Sequence, residues 1–336
     1  MYFIHSPGTD ARGMTAGSIV KSPFKPAWWL PGPHSQTLWP YLFHRKHTVK
    51  YKTERLELPD GDFVDLYRTL NSTGPIVTVF HGLEGDINSP YAAAIMSAIH
   101  TEGWRGVFMH FRGCSGTSNR LDRSYHSGDT GDIKFLIDTL NKNNPGVPMA
   151  VVGYSLGGNA LLKYLGETGA STPVKAAVAV SVPFVLQDSA IRLSQGWSRL
   201  YQRRLVRSLH EKIKRKFTGR RPPFNMDSLH TLDTFYKFDD AITAPLHGFR
   251  GADDYYAQSS CRAYLTEIRV PTLLLHARND PFMTPAAIPD KNELSESVML
   301  ELSDQGGHVG FVCGKVPWKP VYWLEQRIIT YLNEYI

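Results

Sequence analysis

The chain has 336 residues and a formal net charge of +6, with 42% hydrophobic residues, which is long for one domain but ordinary for an α/β core carrying an insertion. Three cysteines, Cys114, Cys261 and Cys313, are too few and too scattered for a disulfide framework or a zinc site, and no stretch approaches the ~20 apolar residues of a membrane span. The N-terminus lacks a signal-peptide core, so residues 1–22 read as a loose polar tail and the protein as cytoplasmic.

In chain order, the runs 54–58 and 63–70 flank Pro59-Asp60-Gly61-Asp62 and predict a β-hairpin. Strands and helices then alternate: strand 75–80, helix 90–101, strand 105–110, helix 129–141, strand 149–152, helix 158–167 and strand 174–182. The rhythm breaks between residues 184 and 265, where no buried strand is evident. It resumes with strands 270–277 and 297–302 and closes with an amphipathic helix, 322–335, carrying Leu324, Ile328, Ile329 and Leu332 on one face. Repeated β–α units predict a mostly parallel sheet covered by helices on both faces. The core spans 23–183 and 266–336, with 184–265 inserted as a helical cap.

Gly153-Tyr154-Ser155-Leu156-Gly157 stands between a predicted strand and a predicted helix. In that context G-x-S-x-G is a nucleophile elbow, whose small residues let strand and helix pack closely around a strained turn. A serine hydroxyl needs a base, and the base needs a third group to hold its tautomer. Downstream, Asp280 follows strand 270–277 and His308 follows strand 297–302. Both lie past strand ends, where a parallel sheet presents its ligand-facing loops, and in the chain order of the α/β-hydrolase fold. Ser155, Asp280 and His308 are therefore the expected catalytic triad. Strand 75–80 runs into His81-Gly82-Leu83-Glu84-Gly85, so the amides of Leu83 and Leu156 are the expected oxyanion donors.

The same residues carry a family resemblance. His81-Gly82-Leu83-Glu84-Gly85, Phe111-Arg112-Gly113-Cys114-Ser115-Gly116 and Arg123-Ser124-Tyr125-His126-Ser127-Gly128 resemble the YheT-type α/β hydrolases, a group described as esterases. The entry segments His34-Ser35-Gln36-Thr37-Leu38-Trp39-Pro40 and Glu57-Leu58-Pro59-Asp60-Gly61-Asp62-Phe63 are similar to that family's N-terminal pattern, so the likeness covers about residues 23–335. It implies ester hydrolysis by the Ser155–His308–Asp280 triad. Relatives acting on acyl lipids and phospholipids point toward a lipid-like ester without fixing it. An acyltransferase on the same fold stays open, as does, more remotely, a non-catalytic binding protein.

The basic charge is local. Residues 192–221 hold eleven Lys or Arg against one acid, Glu211, so this stretch carries +10 and the rest of the chain −4. Apolar residues recur through it mostly at helical spacing, predicting one or two amphipathic basic helices. A solvated basic face is the plain reading; peripheral contact with an anionic membrane or attraction of an anionic substrate is the functional one. Nothing resembles a groove-reading motif, so no nucleic-acid partner is expected. Trp197 and Tyr201, with Phe217 and Phe224, are the expected substrate contacts of the cap. Cys114 reads as a small buried hydrophobe, His110 and His276 as structural histidines, Asp132 as a helix-starting acid, and Arg112-Gly113 as a tight turn on the floor of the site. No H-E-x-x-H or carboxylate cluster suggests a metal, and no cofactor is expected.

Overall fold

The computed structural model describes residues 17–43, 49–70 and 72–336. Strand β1 (Ser18–Lys21) and helix α1 (Pro33–Phe43) precede the hairpin of β2 (Tyr51–Glu57) and β3 (Phe63–Thr69). The alternating part follows: β4 (Ile76–Phe80), α2 (Pro90–Thr101), β5 (Arg105–Met109), α3 (Gly131–Asn143), β6 (Met149–Tyr154), α4 (Leu156–Thr168) and β7 (Ala176–Val180). Between β7 and β8 (Thr272–Ala277) the chain forms no strand. It builds α5 (Leu186–Leu193), α6 (Arg199–Lys216), α7 (Phe235–Phe238), α8 (Ala244–Leu246) and α9 (Ala252–Ser259) instead. Strand β9 (Val298–Ser303), a small ladder of β10 (Val312–Cys313) and β11 (Val321–Tyr322), and α10 (Trp323–Leu332) complete it.

Nine strands form one sheet in the order β1-β9-β8-β7-β6-β4-β5-β3-β2. All neighbours from β1 to β5 pair parallel, and β3 joins β5 antiparallel with the hairpin at the edge. The buried strands alternate their side chains between two cores, as the period of two requires. Ile76, Phe80, Met149, Val151 and Leu274 meet α3 and α4 on one face; Val77, Val79, Val152, Leu273 and Leu275 meet α2 and α10 on the other. A third cluster, Leu193, Val206, Leu209, Ile213, Phe235 and Phe238, lies within the helical segment after β7.

One expectation needs correcting. The segment 1–22 is not a loose tail throughout: Ser18–Lys21 form β1, an edge strand parallel to β9. Ser22 extends the attachment, its N–H donating to Leu302 O (2.9 Å) and its hydroxyl to Glu301 Oε1 (2.8 Å). Four residues are too short a run to show periodicity, and their pairing partner lies some 280 residues downstream. Residues 1–16, the remainder of that expectation, lie outside the described residues.

Candidate active site

Strand β6 ends at Tyr154 and α4 begins at Leu156, so Ser155 alone makes the turn, at φ +50° and ψ −118°. The glycines around it are fixed by contact. A Cβ on Gly157 would stand 2.5 Å from His81 O, and one on Gly153 2.7 Å from Gly157 O. Both distances are shorter than any carbon–oxygen contact allows, so only glycine lets the end of β4 and the start of α4 close on the turn. The Ser155 N–H donates to Val180 O (2.8 Å), which ties the turn to β7.

The other two expected residues converge on that serine. His308 Nε2 lies 3.0 Å from Ser155 Oγ, and His308 Nδ1 lies 2.8 Å from Asp280 Oδ2. Asp280 is buried, and its second oxygen, Oδ1, accepts the Phe282 N–H at 2.8 Å. The carboxylate therefore accepts a hydrogen bond from His308 Nδ1–H, which keeps the proton on Nδ1 and leaves the Nε2 lone pair facing the serine hydroxyl. The loop carrying His308 is held from three directions. His308 N–H donates to Thr37 Oγ1 (2.9 Å), Gly307 N–H to Asn279 Oδ1 (3.1 Å) and Val309 N–H to Ser181 Oγ (3.0 Å). Gln36 anchors α1 beside it with two bonds to the Val312 backbone, of 2.7 and 3.0 Å. The Phe282 ring lies flat on the His308 imidazole, centroids 3.9 Å apart and planes 3° from parallel.

The loop after β4 faces the same point. A Cβ on Gly82 would stand 3.3 Å from Ser155 Cβ, so the loop passes directly beside the serine. Its amides are divided among partners: Gly82 N–H donates to Tyr91 Oη and Glu84 N–H to Tyr125 Oη, both at 2.9 Å, and Gly85 N–H to Gly82 O (3.0 Å). The Leu83 amide between them, like that of Leu156 at the first position of α4, donates to no acceptor among the described residues. Leu83, Ser155, Leu156 and His308 line one cavity. The set offers a hydroxyl, a correctly oriented base and two N–H groups at a helix N-terminus and a glycine loop, the components of acyl transfer.

A sequence model of the alpha/beta hydrolase fold matches residues 75–314, which include all of these groups. The chain belongs to the α/β-hydrolase family. It is 44% identical to the Escherichia coli (strain K12) protein named "Putative esterase YheT", over 90% of this chain and 91% of that protein. It is 29% identical to the mouse phospholipase ABHD3 (90% of this chain, 77% of that one) and 29% identical to a Saccharomyces cerevisiae monoacylglycerol lipase (70% and 55%). Among solved structures, a Pyrococcus furiosus esterase, Pf2001, superposes with a TM-score of 0.57 over 94% of this chain and 99% of its own at 16% identity, a likeness of fold. These matches define an esterase/lipase-type member of the family.

In this hydrolase the cavity beside Ser155 measures about 140 Å³ and is mainly apolar, with Leu186, Leu205, Leu209, Phe235, Phe238 and Ile242 in its wall. The four aromatic residues expected to contact substrate do not line it. Trp197 is 75% exposed and points to solvent. Tyr201 stands one layer back, its ring 5.0 Å from that of Phe282 and its hydroxyl 3.1 Å from His34 Nδ1, while Phe217 and Phe224 pack edge-to-face on each other within the helical cluster. The reason is phase. The face of α6 turned inward is that of Gln202, Val206, Leu209 and Ile213, which leaves Leu200 outward, and Trp197 precedes α6 in the separate short turn Gly196–Ser198.

Other groups also sit differently from their sequence reading. The basic charge of α6 is not all solvated: Lys212 and Lys216 are buried, the latter donating to Asn119 Oδ1 and Arg123 O and pushed down to about 8 by burial. Asp132 is more than a helix-starting acid, since both its oxygens receive the Arg112 guanidinium at 2.7 Å. Arg112 reaches Asp60 (2.7 Å) and Asp62 (3.1 Å) as well, so it ties the hairpin turn to α3 rather than merely making a turn. Burial pushes the Cys114 thiol up to about 11, consistent with an inert sulfur. His81 is neutral for the same reason, at about 3; its Nδ1–H donates to Gly82 O (2.7 Å) and its Nε2 accepts the Phe111 N–H (3.0 Å). His276 is buried against Phe184 and lowered by burial to about 4.

Thr37, Asn279, Ser181 and Phe282 were not singled out from sequence. Thr37 lies within the family-like motif His34-Ser35-Gln36-Thr37, which could have flagged it, but its contact with His308 spans 271 positions and leaves no local trace.

Proposed function

We propose that this α/β hydrolase cleaves carboxylic esters through an acyl-enzyme. Ser155 Oγ attacks the ester carbonyl as His308 Nε2 takes its proton. The tetrahedral oxyanion is held by the Leu83 and Leu156 amides, and the alcohol departs with the proton from His308. Water, activated by the same imidazole, then releases the acid. Asp280 holds the tautomer and stabilises the imidazolium. The single observation carrying this reading is the continuous chain Asp280 Oδ2–His308–Ser155 Oγ, with links of 2.8 and 3.0 Å. Relatives named esterase, phospholipase and lipase support it. Ser155→Ala should lower turnover of p-nitrophenyl esters by roughly 10⁴- to 10⁶-fold while leaving the fold intact, and a fluorophosphonate probe should label Ser155 in the wild type. Full activity in the variant, or no labelling, overturns the assignment. Acyl transfer to an alcohol shares the acyl-enzyme, and product analysis with added alcohols separates it from hydrolysis.

For substrate, the apolar wall and the volume favour a short- to medium-chain acyl group. A dry cavity of about 150 Å³ holds a benzene-sized molecule, so about 140 Å³ accommodates roughly that many heavy atoms. A lipid-like ester presented at an anionic membrane fits the outer surface. Leu42 and Phe43 are exposed on α1, Leu200 on α6 and Trp197 in the short turn just before α6; the two helices are adjacent, Arg204 lying 5.9 Å from the Tyr41 ring. Arg199, Arg203 and Arg204 stand among them, exposed. Attraction of this kind is screened by salt. Co-sedimentation with phosphatidylglycerol-containing vesicles should fall from low to high salt and on neutralising these arginines. Equal, negligible binding throughout would leave a solvated basic surface on an esterase.

A further inference from the structure

Lys212 stands out among the eleven basic residues of its segment, because it is buried and turned toward the reaction centre. It is on α6, yet its Nζ donates to Glu84 Oε1 at 2.8 Å, 128 positions away, and lies 2.9 Å from Cys114 Sγ and 4.3 Å from the centre of the Tyr125 ring. Burial disfavours its ammonium, but the Glu84 carboxylate and the Cys114 sulfur outweigh that and hold its pKa above the ordinary lysine value. Glu84 directly follows Leu83, and its backbone is at φ +52°, a conformation that a non-glycine residue holds only under constraint. Tyr125 closes the arrangement: its hydroxyl accepts the Glu84 N–H and donates to Glu84 Oε1, both at 2.9 Å.

We propose that Lys212 is a positioning residue for the oxyanion loop, a latch by which the helical segment over the site fixes the Leu83 amide through Glu84. This rests on the esterase reading, in which Leu83 is an oxyanion donor. The ammonium clamps the Glu84 carboxylate and the Tyr125 hydroxyl clamps the Glu84 amide. The strained peptide is thereby pinned at both ends of one residue, and the neighbouring N–H cannot rotate away from the point beside Ser155. The oxyanion hole is then complete only when α6 is docked, which makes the cap part of the catalytic geometry as well as of the substrate pocket.

The test is a comparison of wild type, Lys212→Met, Lys212→Arg, Glu84→Gln and the Lys212→Met/Glu84→Gln double variant on p-nitrophenyl butyrate. Displacing one donor should lower kcat of Lys212→Met by roughly 10²-fold with KM changed less than about threefold, and Lys212→Arg should recover part of the loss. A trifluoromethyl ketone, whose hemiketal oxygen occupies the hole, should lose affinity by the same factor as kcat. The corresponding secondary alcohol, which forms no oxyanion, should bind as before; a merely structural role would weaken both alike. Should Lys212→Met fold poorly, because it leaves the Glu84 carboxylate unpaired, the double variant removes both charges and should show the same kcat loss and the same inhibitor split. Wild-type protein that is active, with kcat of Lys212→Met within twofold of it, overturns the latch alone. Wild-type protein that hydrolyses no ester overturns the esterase reading and the latch together.

Discussion

Replacing Asp280 with asparagine keeps the size and shape of the side chain and changes only which of its two outer atoms can accept. In the native site both accept: Oδ1 from the Phe282 N–H and Oδ2 from His308 Nδ1–H, each at 2.8 Å. An amide has one acceptor and one donor, so one contact must fail. With its oxygen toward Phe282, its NH₂ faces His308 Nδ1, draws the imidazole into the tautomer with hydrogen on Nε2, and aims a proton instead of a lone pair at Ser155. With its oxygen toward His308 the tautomer is right, but two buried donors now oppose each other at Phe282. That mismatch costs about 1–3 kcal/mol, and losing the charge-assisted bond to the forming imidazolium costs about 1.5–3 more. The sum corresponds to roughly two to four powers of ten in rate. Steady-state kcat on p-nitrophenyl butyrate at neutral pH, with thermal melting as a fold check, measures it. A folded Asp280→Asn enzyme within tenfold of wild type would refute the assignment of the orienting acid. Two other aspartates, Asp253 and Asp254, are engaged elsewhere on α9, with Gln187 and Tyr236 and with Arg250.

Thr37→Val removes the acceptor of the His308 N–H and should lower kcat roughly tenfold with little change in KM; Thr37→Ser should restore it, and equal kcat in all three would dismiss the contact. Arg112→Met leaves three carboxylates, two of them buried, without their shared cation, and should lower the unfolding free energy by about 3–5 kcal/mol in urea titrations. Glu325 is pushed up to about 7 by burial and has one oxygen without a partner among the described residues. Folding therefore favours its neutral form, and stability is lost as pH rises from the ordinary carboxylate range through about 7. Glu325→Gln should accordingly raise Tm at pH 8 by about 2–4 °C and leave it nearly unchanged at pH 5; an equal shift at both would contradict the burial argument.

The order and type of the core elements were legible because each buried strand repeats its apolar residues across two packed faces, and a nine-stranded sheet repeats that signal many times. The convergence of Ser155, Asp280 and His308 was legible for a topological reason: all three follow parallel strands, and parallel strands end on the same side. What was not legible depended on helical phase and on distance along the chain. Trp197 is an expected substrate contact that faces outward, because the helix whose spacing it shares begins only at Arg199 and Trp197 sits in the short turn before. Lys212 was read as one of many solvated charges. Nothing within α6 distinguishes it from Arg203 or Lys214; its partners, Glu84 and Cys114, lie 128 and 98 positions upstream. Phe282 followed the acid by two residues and could have been read as part of the same turn, but its stacking on His308 belongs to the tertiary fold.

The backbone itself marks the same centre. Five non-glycine residues among those described have positive φ: Glu84, Ser155, Ser181, Val309 and Phe311. One bears the serine hydroxyl, one adjoins Leu83, and Val309 and Phe311 flank the turn beyond His308, with Ser181 bonded to the first of these. Each such conformation costs about 1–3 kcal/mol, a sizeable fraction of the roughly 5–15 kcal/mol by which a domain is stable. All five amides are nevertheless engaged: Glu84 with Tyr125 Oη, Ser155 with Val180 O, Ser181 with Leu275 O, Val309 with Ser181 Oγ and Phe311 with Gly306 O, between 2.8 and 3.0 Å. Relaxing any one of them would break a hydrogen bond at a strand end or loop that the core already fixes. The strain is thus confined to a few peptides around Ser155, His308 and Leu83. The parallel strands β6, β7 and β8, together with Tyr125, hold those peptides in place.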